Sequence, residues 1–183
     1  MPDSLSTVLR SAQSPDSQQP WQSPLRLAKR PVTIWPWLTA HGSLTQQLRQ
    51  QAHGQFRVQP LREQLLRPTA DEALLLKIPT GQWAWVREVY LFGSDDVPWV
   101  FARSVIPISS LRGQARRLRY LGRRSLGSLL FARHQPACTR QVACLAHGWA
   151  RRSRYVWHGQ PLLVQECFLP AFIANLEQPT CPH

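Results

Sequence analysis

From Trp83 to Pro107 the chain reads WAWVREVYLFGSDDVPWVFARSVIP, two apolar stretches on either side of a short polar connection. Alternate residues of a strand face the same side. The spacing therefore predicts strands over about 82–92 and 98–106, and GSDDVP between them makes an antiparallel hairpin. One face of the first strand carries Trp83, Trp85, Arg87, Val89 and Leu91. A guanidinium thus interrupts an apolar series, where it is expensive to bury unpaired. The face begun by Trp99 runs through Phe101, Arg103 and Val105 and holds a second arginine.

Three closing strands fit ACTRQVACLAHG, ARRSRYVWHG and QPLLVQECFLP, separated by glycine turns at Gly148 and Gly159. In the last of them Leu162, Val164, Glu166 and Phe168 share a face, so a glutamate repeats the oddity of Arg87. Upstream, QFRVQPLREQLL predicts a further strand and ADEALLLKIP a short helix or turn. WPWLTA predicts a short helical turn. HGSLTQQLRQQAHG predicts a helix with Ser43 as N-cap and Gly54 as its stop. LRGQARRLRYLG puts Leu111, Ala115, Leu118 and Gly122 on one helical face and Arg112, Arg116, Arg119 and Arg123 on another. SLGSLLFARH starts a further helix at Ser125. The sum is an α+β domain, a six-stranded antiparallel sheet with helices inserted between its two halves. Residues 1–30 are rich in Ser, Gln and Pro without a period, and are expected to be a tail outside the core. The folded domain is expected over 31–176, with a short C-terminal tail over 177–183.

At 183 residues and 43% hydrophobic content the chain suits one domain with a sizeable core. No apolar run is long enough to cross a bilayer, and the N-terminus lacks the basic and apolar regions of a secretory signal. A cytoplasmic, soluble protein is expected. Cys138, Cys144, Cys167 and Cys181 form no C-x-x-C pair and have no suitably spaced histidines, so reduced thiols and no metal are expected. The net charge of +12, mostly arginine, fits a polyanion, an anionic membrane surface or a small acidic substrate, and equally a solvated basic surface. RRLRYLGRR and RRSR raise nucleic-acid binding, but no reader motif accompanies them.

The misplaced charges carry the chemistry. Arg87 and Glu166 read either as an internal salt bridge between strands or as two poles of a site. Arg103 reads as a third site candidate, or as an arginine paired with a neighbouring acid. The helix starts GSLT (Gly42–Thr45) and RSLG (Arg124–Gly127) offer free backbone N–H groups, which bind anions, though each alone reads as an ordinary cap. Together they describe a small closed pocket for a compact anionic ligand with a hydroxyl at its far end.

WVREVYLFG, PWVFARSVIPISSL, RRSLGSLLF, GWARRSRYVWHGQPLLVQECFLP and, more weakly, GSLTQQLRQQ occur in this order over roughly Trp35 to Phe172. In these words the chain resembles the chorismate pyruvate-lyase family. The resemblance implies cleavage of chorismate to 4-hydroxybenzoate and pyruvate, the first committed step toward ubiquinone, without metal or redox cofactor. It implies a site sealed beneath helical flaps. There Arg87 and the backbone N–H groups of Leu44 and Leu126 hold the ring carboxylate, and Glu166 faces the ring hydroxyl as base or as orienting group. A monomer acting on a small molecule, with no nucleic-acid partner and no stable membrane insertion, is expected. The chain departs from the family at Leu44, where enteric members carry methionine, and over 55–80, which matches poorly. The rival reading is a non-catalytic module like the effector-binding domain of GntR-type regulators. Those carry a winged-helix domain ahead of it, whereas a Ser/Pro/Gln-rich tail stands there in this chain.

Overall fold

The computed structural model describes residues 21–133 and 135–177. Six strands form one antiparallel sheet in the spatial order β1-β2-β3-β6-β5-β4. They are β1 (Arg57–Leu66), β2 (Ala84–Phe92), β3 (Pro98–Pro107), β4 (Ala137–Leu145), β5 (Gly148–Trp157) and β6 (Gln160–Phe168). The helices are α1 (Trp35–Thr39), α2 (Leu44–Gln51), α3 (Ala70–Leu76), α4 (Leu126–Leu130) and α5 (Pro170–Glu177). Each half of the sheet is a meander, and the halves join where β3 pairs β6, with Ala102 opposite Glu166 and Ser104 opposite Val164. The α+β class and the six-stranded antiparallel sheet expected from the pattern are the observed ones. Among the described residues no helix is long and apolar enough to cross a membrane.

The β2–β3 hairpin closes tightly because Gly93 has no side chain. A Cβ there would lie 2.1 Å from the indole of fully buried Trp99. Trp83, expected on the first strand's inward face, precedes β2 and is half exposed. Between the halves of the sheet, Gly113–Tyr120 winds as a 3-10 helix. With three residues per turn, the buried row is Ala115, Leu118 and Leu121, not the Gly122 expected from a 3.6-residue period.

One face of the sheet is covered by α1, α2 and α5 at one end, through Leu38, Leu48 and Phe172, and by the 3-10 helix and α4 at the other, through Leu118 and Leu130. The opposite face packs against α3 and the segment at Trp21. There Arg103, 1% exposed, donates from Nε and Nη2 to Glu72 (2.8 and 3.2 Å) and from Nη1 to Glu88 (2.5 Å). Burial alone would lower this guanidinium's pKa, but the bonds and charges of Glu72 and Glu88 outweigh it and hold it above its ordinary value. Arg103 is therefore no part of the site and pairs with neighbouring acids. Glu72 also closes the capping box of α3 with Thr69, so one carboxylate fixes both the helix start and the strand beneath it.

The expected tail over 1–30 needs correcting at its inner end. Trp21 is 6% exposed under the Arg152 guanidinium, and Gln22 exchanges backbone hydrogen bonds with Val142 (2.9 and 2.8 Å). An aromatic this large is bound by burial whatever the composition around it. The rest of that expectation, residues 1–20, and the C-terminal residues 178–183 lie outside the described residues, whereas Glu177 ends α5. Trp21→Ala should lower unfolding stability by about 3–5 kcal/mol. An unchanged Tm would show that this segment is not docked in solution.

Candidate active site

Between the sheet and the two helical groups lies a narrow cavity, mostly apolar and lined by a few converging polar groups. Its floor is Arg87, Val89 and Leu91 of β2, Ala102 and Ser104 of β3, Val164 and Glu166 of β6 and Tyr155 of β5. Strand alternation selects these residues: each is two positions from its neighbour along its own strand. Its roof is made by two helix starts, Gly42, Leu44 and Thr45 before and in α2, and Ser125, Leu126 and Gly127 before and in α4. The four residues singled out from sequence, Arg87, Leu44, Leu126 and Glu166, all line this one cavity.

Each helix start is capped by serine. Ser43 accepts from the Gln46 N–H (3.4 Å) and Ser125 from the Ser128 N–H (3.2 Å). These caps satisfy the third N–H of each helix and leave the first for other partners. Among the described residues neither the Leu44 N–H nor the Leu126 N–H meets an acceptor. The two starts touch: a Cβ on Gly127 would lie 2.7 Å from Ser43 Oγ and 3.3 Å from Thr45 Oγ1.

Arg87 and Glu166 do not pair. In the sheet β3 lies between their strands, and each is held by another partner, Arg87 by Glu63 and Glu166 by Arg151. Arg87, 2% exposed, donates from Nε to Glu63 Oε1 (2.6 Å) and from Nη2 to the carbonyls of Gly122 (2.6 Å) and Arg124 (3.0 Å). Its Nη1 has no acceptor among the described residues. Burial pulls this guanidinium below its ordinary pKa, and the hydrogen bond and charge of Glu63 offset that only in part. The positive charge is thus incompletely matched, with donors to spare. Glu166 accepts from Arg151 Nε at Oε2 (2.5 Å), and its Oε1 has no donor among the described residues. Arg151 is anchored in turn, donating from Nη1 to the Trp37 carbonyl (2.5 Å).

Three partners escaped the reading of the sequence. Arg151 stands directly across from Glu166 in the β5–β6 register, and Arg151, Ser153 and Tyr155 alternate onto the cavity face, so ARRSRY held a signal for this strand. Glu63 faces Arg87 across β1–β2 only because a bulge between Pro60 and Arg62 resets the register, which composition does not announce. Tyr155 accepts from Arg140 Nη2 (3.5 Å); burial foremost, and then the charge of Glu166, raises its phenol above the ordinary tyrosine pKa, opposed in part by Arg151 and Arg140. The hydroxyl therefore stays protonated and able to donate.

Comparison with known proteins places these observations. The family model described as chorismate lyase matches residues 16–176. A probable chorismate pyruvate-lyase of Acinetobacter baumannii is 47% identical over 142 residues, covering 78% of this chain and 84% of that relative. One from Alcanivorax borkumensis is 42% identical over 183 residues, covering 95% of this chain and 86% of the relative. Among solved structures, the effector domain of PhnF from Mycobacterium smegmatis superposes with a TM-score of 0.53 at 13% identity, over 71% of this chain and 90% of that one. At that identity the likeness speaks for the fold alone.

Proposed function

This chain belongs to the chorismate lyase family, and from that membership we propose that its cavity converts chorismate to 4-hydroxybenzoate and pyruvate, the first committed step toward ubiquinone. One observation carries the assignment of roles. A single narrow cavity holds an arginine with an unused pair of N–H donors and a glutamate with an unused oxygen, two strands apart. That is the polarity of a ring with a carboxylate at one end and a hydroxyl at the other.

In this reading Arg87 Nη1 and the N–H groups of Leu44 and Leu126 hold the ring carboxylate, a charge-assisted cradle of fixed donors. Val89, Leu91, Ala102 and Val164 supply an apolar slot for the ring. Glu166 Oε1 accepts from the hydroxyl and so fixes the carbon that must lose its proton. The C–O bond to the enolpyruvyl group breaks as that C–H proton leaves. The departing enolate takes a proton at its methylene carbon and becomes pyruvate, and the ring becomes aromatic. The driving force is intrinsic to the substrate, so the protein contributes positioning, exclusion of water and preorganised charge. Glu166 takes the proton itself or holds it in line for the substrate's own carboxylate; either route needs its free oxygen in place.

Mixing the protein with chorismate and following 4-hydroxybenzoate by absorbance tests the assignment. Turnover is expected. Tight binding without turnover would instead support an effector module of the kind the fold also serves. Gly127→Ala provides a geometric check on the roof. It should weaken 4-hydroxybenzoate affinity by about tenfold or more as the two helix starts separate, with only a modest fall in Tm, because alanine's helix preference offsets part of the strain on the Ser43 cap. Unchanged affinity would mean the helix starts do not hold the ligand.

A further inference from the structure

Between Asp96 and Glu166 the chain contains no acidic residue. Its densest basic run lies on the 3-10 helix and the turn after it, where Arg112, Arg116, Arg117, Arg119, Arg123 and Arg124 are all exposed. This run does not stand alone. Tyr120 on the same helix is 79% exposed, and Arg119 lies over the Trp85 ring at 5.0 Å. Through Trp85 the helix adjoins one end of the sheet. There the register sets Leu65 opposite Trp85, and the Ile108 N–H bonds to the Trp83 carbonyl (3.1 Å). Leu65, Trp83 and Ile108 are each exposed beyond a third, and Arg67 stacks on Trp83 at 5.2 Å. The result is an aromatic and aliphatic edge rimmed by arginines, with no carboxylate on the basic segment itself.

We propose that this edge docks on an anionic lipid bilayer, with the arginines at the headgroups and Trp83, Tyr120, Ile108 and Leu65 at the headgroup–acyl boundary. Arginines attract an anionic leaflet, and tryptophan and tyrosine settle at its interface. The aliphatic members favour a bilayer over nucleic acid: a base stacks on a ring, but nothing in an oligonucleotide matches an exposed leucine and isoleucine. Docking needs no inserted helix. It is peripheral and reversible, and it sits beside the cavity roof, because the same run supplies the Gly122 and Arg124 carbonyls that hold Arg87.

The test is sedimentation of the full chain with vesicles of phosphatidylcholine, with and without phosphatidylglycerol, across a salt series. Binding is expected only to the anionic vesicles and should fall as salt rises. Arg116→Gln with Arg117→Gln should weaken it by about five-fold for each arginine, and Trp83→Ser with Tyr120→Ser should weaken what persists at higher salt. All these positions are exposed, and the unchanged turnover expected of the variants reports that they are folded. Equal binding to neutral and anionic vesicles, or no binding to either, overturns the proposal. So does tighter binding to a single-stranded oligonucleotide than to anionic vesicles at the same salt, which would assign the surface to nucleic acid.

Discussion

Arg87→Ala should lose about two to four orders of magnitude in 4-hydroxybenzoate affinity, and a comparable factor in kcat/KM for chorismate. The figure follows from leaving a ligand carboxylate desolvated and unmatched, roughly 3–5 kcal/mol by analogy with breaking a buried ion pair. The structure changes how that loss must be dissected. Arg87 has a protein partner in Glu63 and holds the Gly122 and Arg124 carbonyls, so truncation also removes three hydrogen bonds and will lower Tm. Glu63→Gln separates the two effects. It takes away the structural half of the arrangement and leaves Nη1 in the cavity. A ligand-binding Arg87 predicts a modest loss of stability with nearly parental affinity for Glu63→Gln. Arg87→Lys should not rescue Arg87→Ala, since one ammonium cannot serve a carboxylate on one strand, the Gly122 and Arg124 carbonyls and a ligand at once. If Arg87→Ala binds 4-hydroxybenzoate as tightly as the parent, the carboxylate has been placed at the wrong end.

Glu166→Gln should lower turnover by about two to four orders of magnitude, in the range of a lost general base or an essential orienting group. Affinity for the product should change much less. The substitution keeps the shape and an acceptor oxygen but removes the charge, and leaves Arg151, 1% exposed, facing a neutral amide. Some loss of Tm is therefore expected as well. Arg151→Met separates stability from chemistry from the other side, by removing the buried cation and leaving Glu166 charged. A merely structural Glu166 would make the two variants lose stability alike while turnover persists. Near-parental turnover in Glu166→Gln would remove Glu166 from the reaction under either proton route.

The two charges had been legible for what they are, but not for whom they meet. Arg87 and Glu166 broke an apolar alternation, and a period of two is written in the residues themselves, so their inward direction needed nothing beyond the chain. The hairpin, the closing strands and the capped helix starts at Ser43 and Ser125 were local in the same way. Their signals lie within a few residues of the feature they set. Partners are not local. Glu63 reaches Arg87 through a bulge in a neighbouring strand, and Arg151 reaches Glu166 through register. Arg103, equally conspicuous in sequence, turned to the other face and met Glu72 and Glu88 under α3, because adjacent strands offset which alternate set faces the cavity. Trp21 lay within a polar, unpatterned stretch, and only the packing surface against Phe101, Ala150 and Cys167 gave it a place. Backbone periodicity and capping, written in the chain itself, set the strands, the helix starts and the inward direction of Arg87 and Glu166. The tertiary structure alone decided which charges satisfy one another and which keep unused donors and acceptors in the cavity, since strand order and register set the distances between side chains remote along the chain.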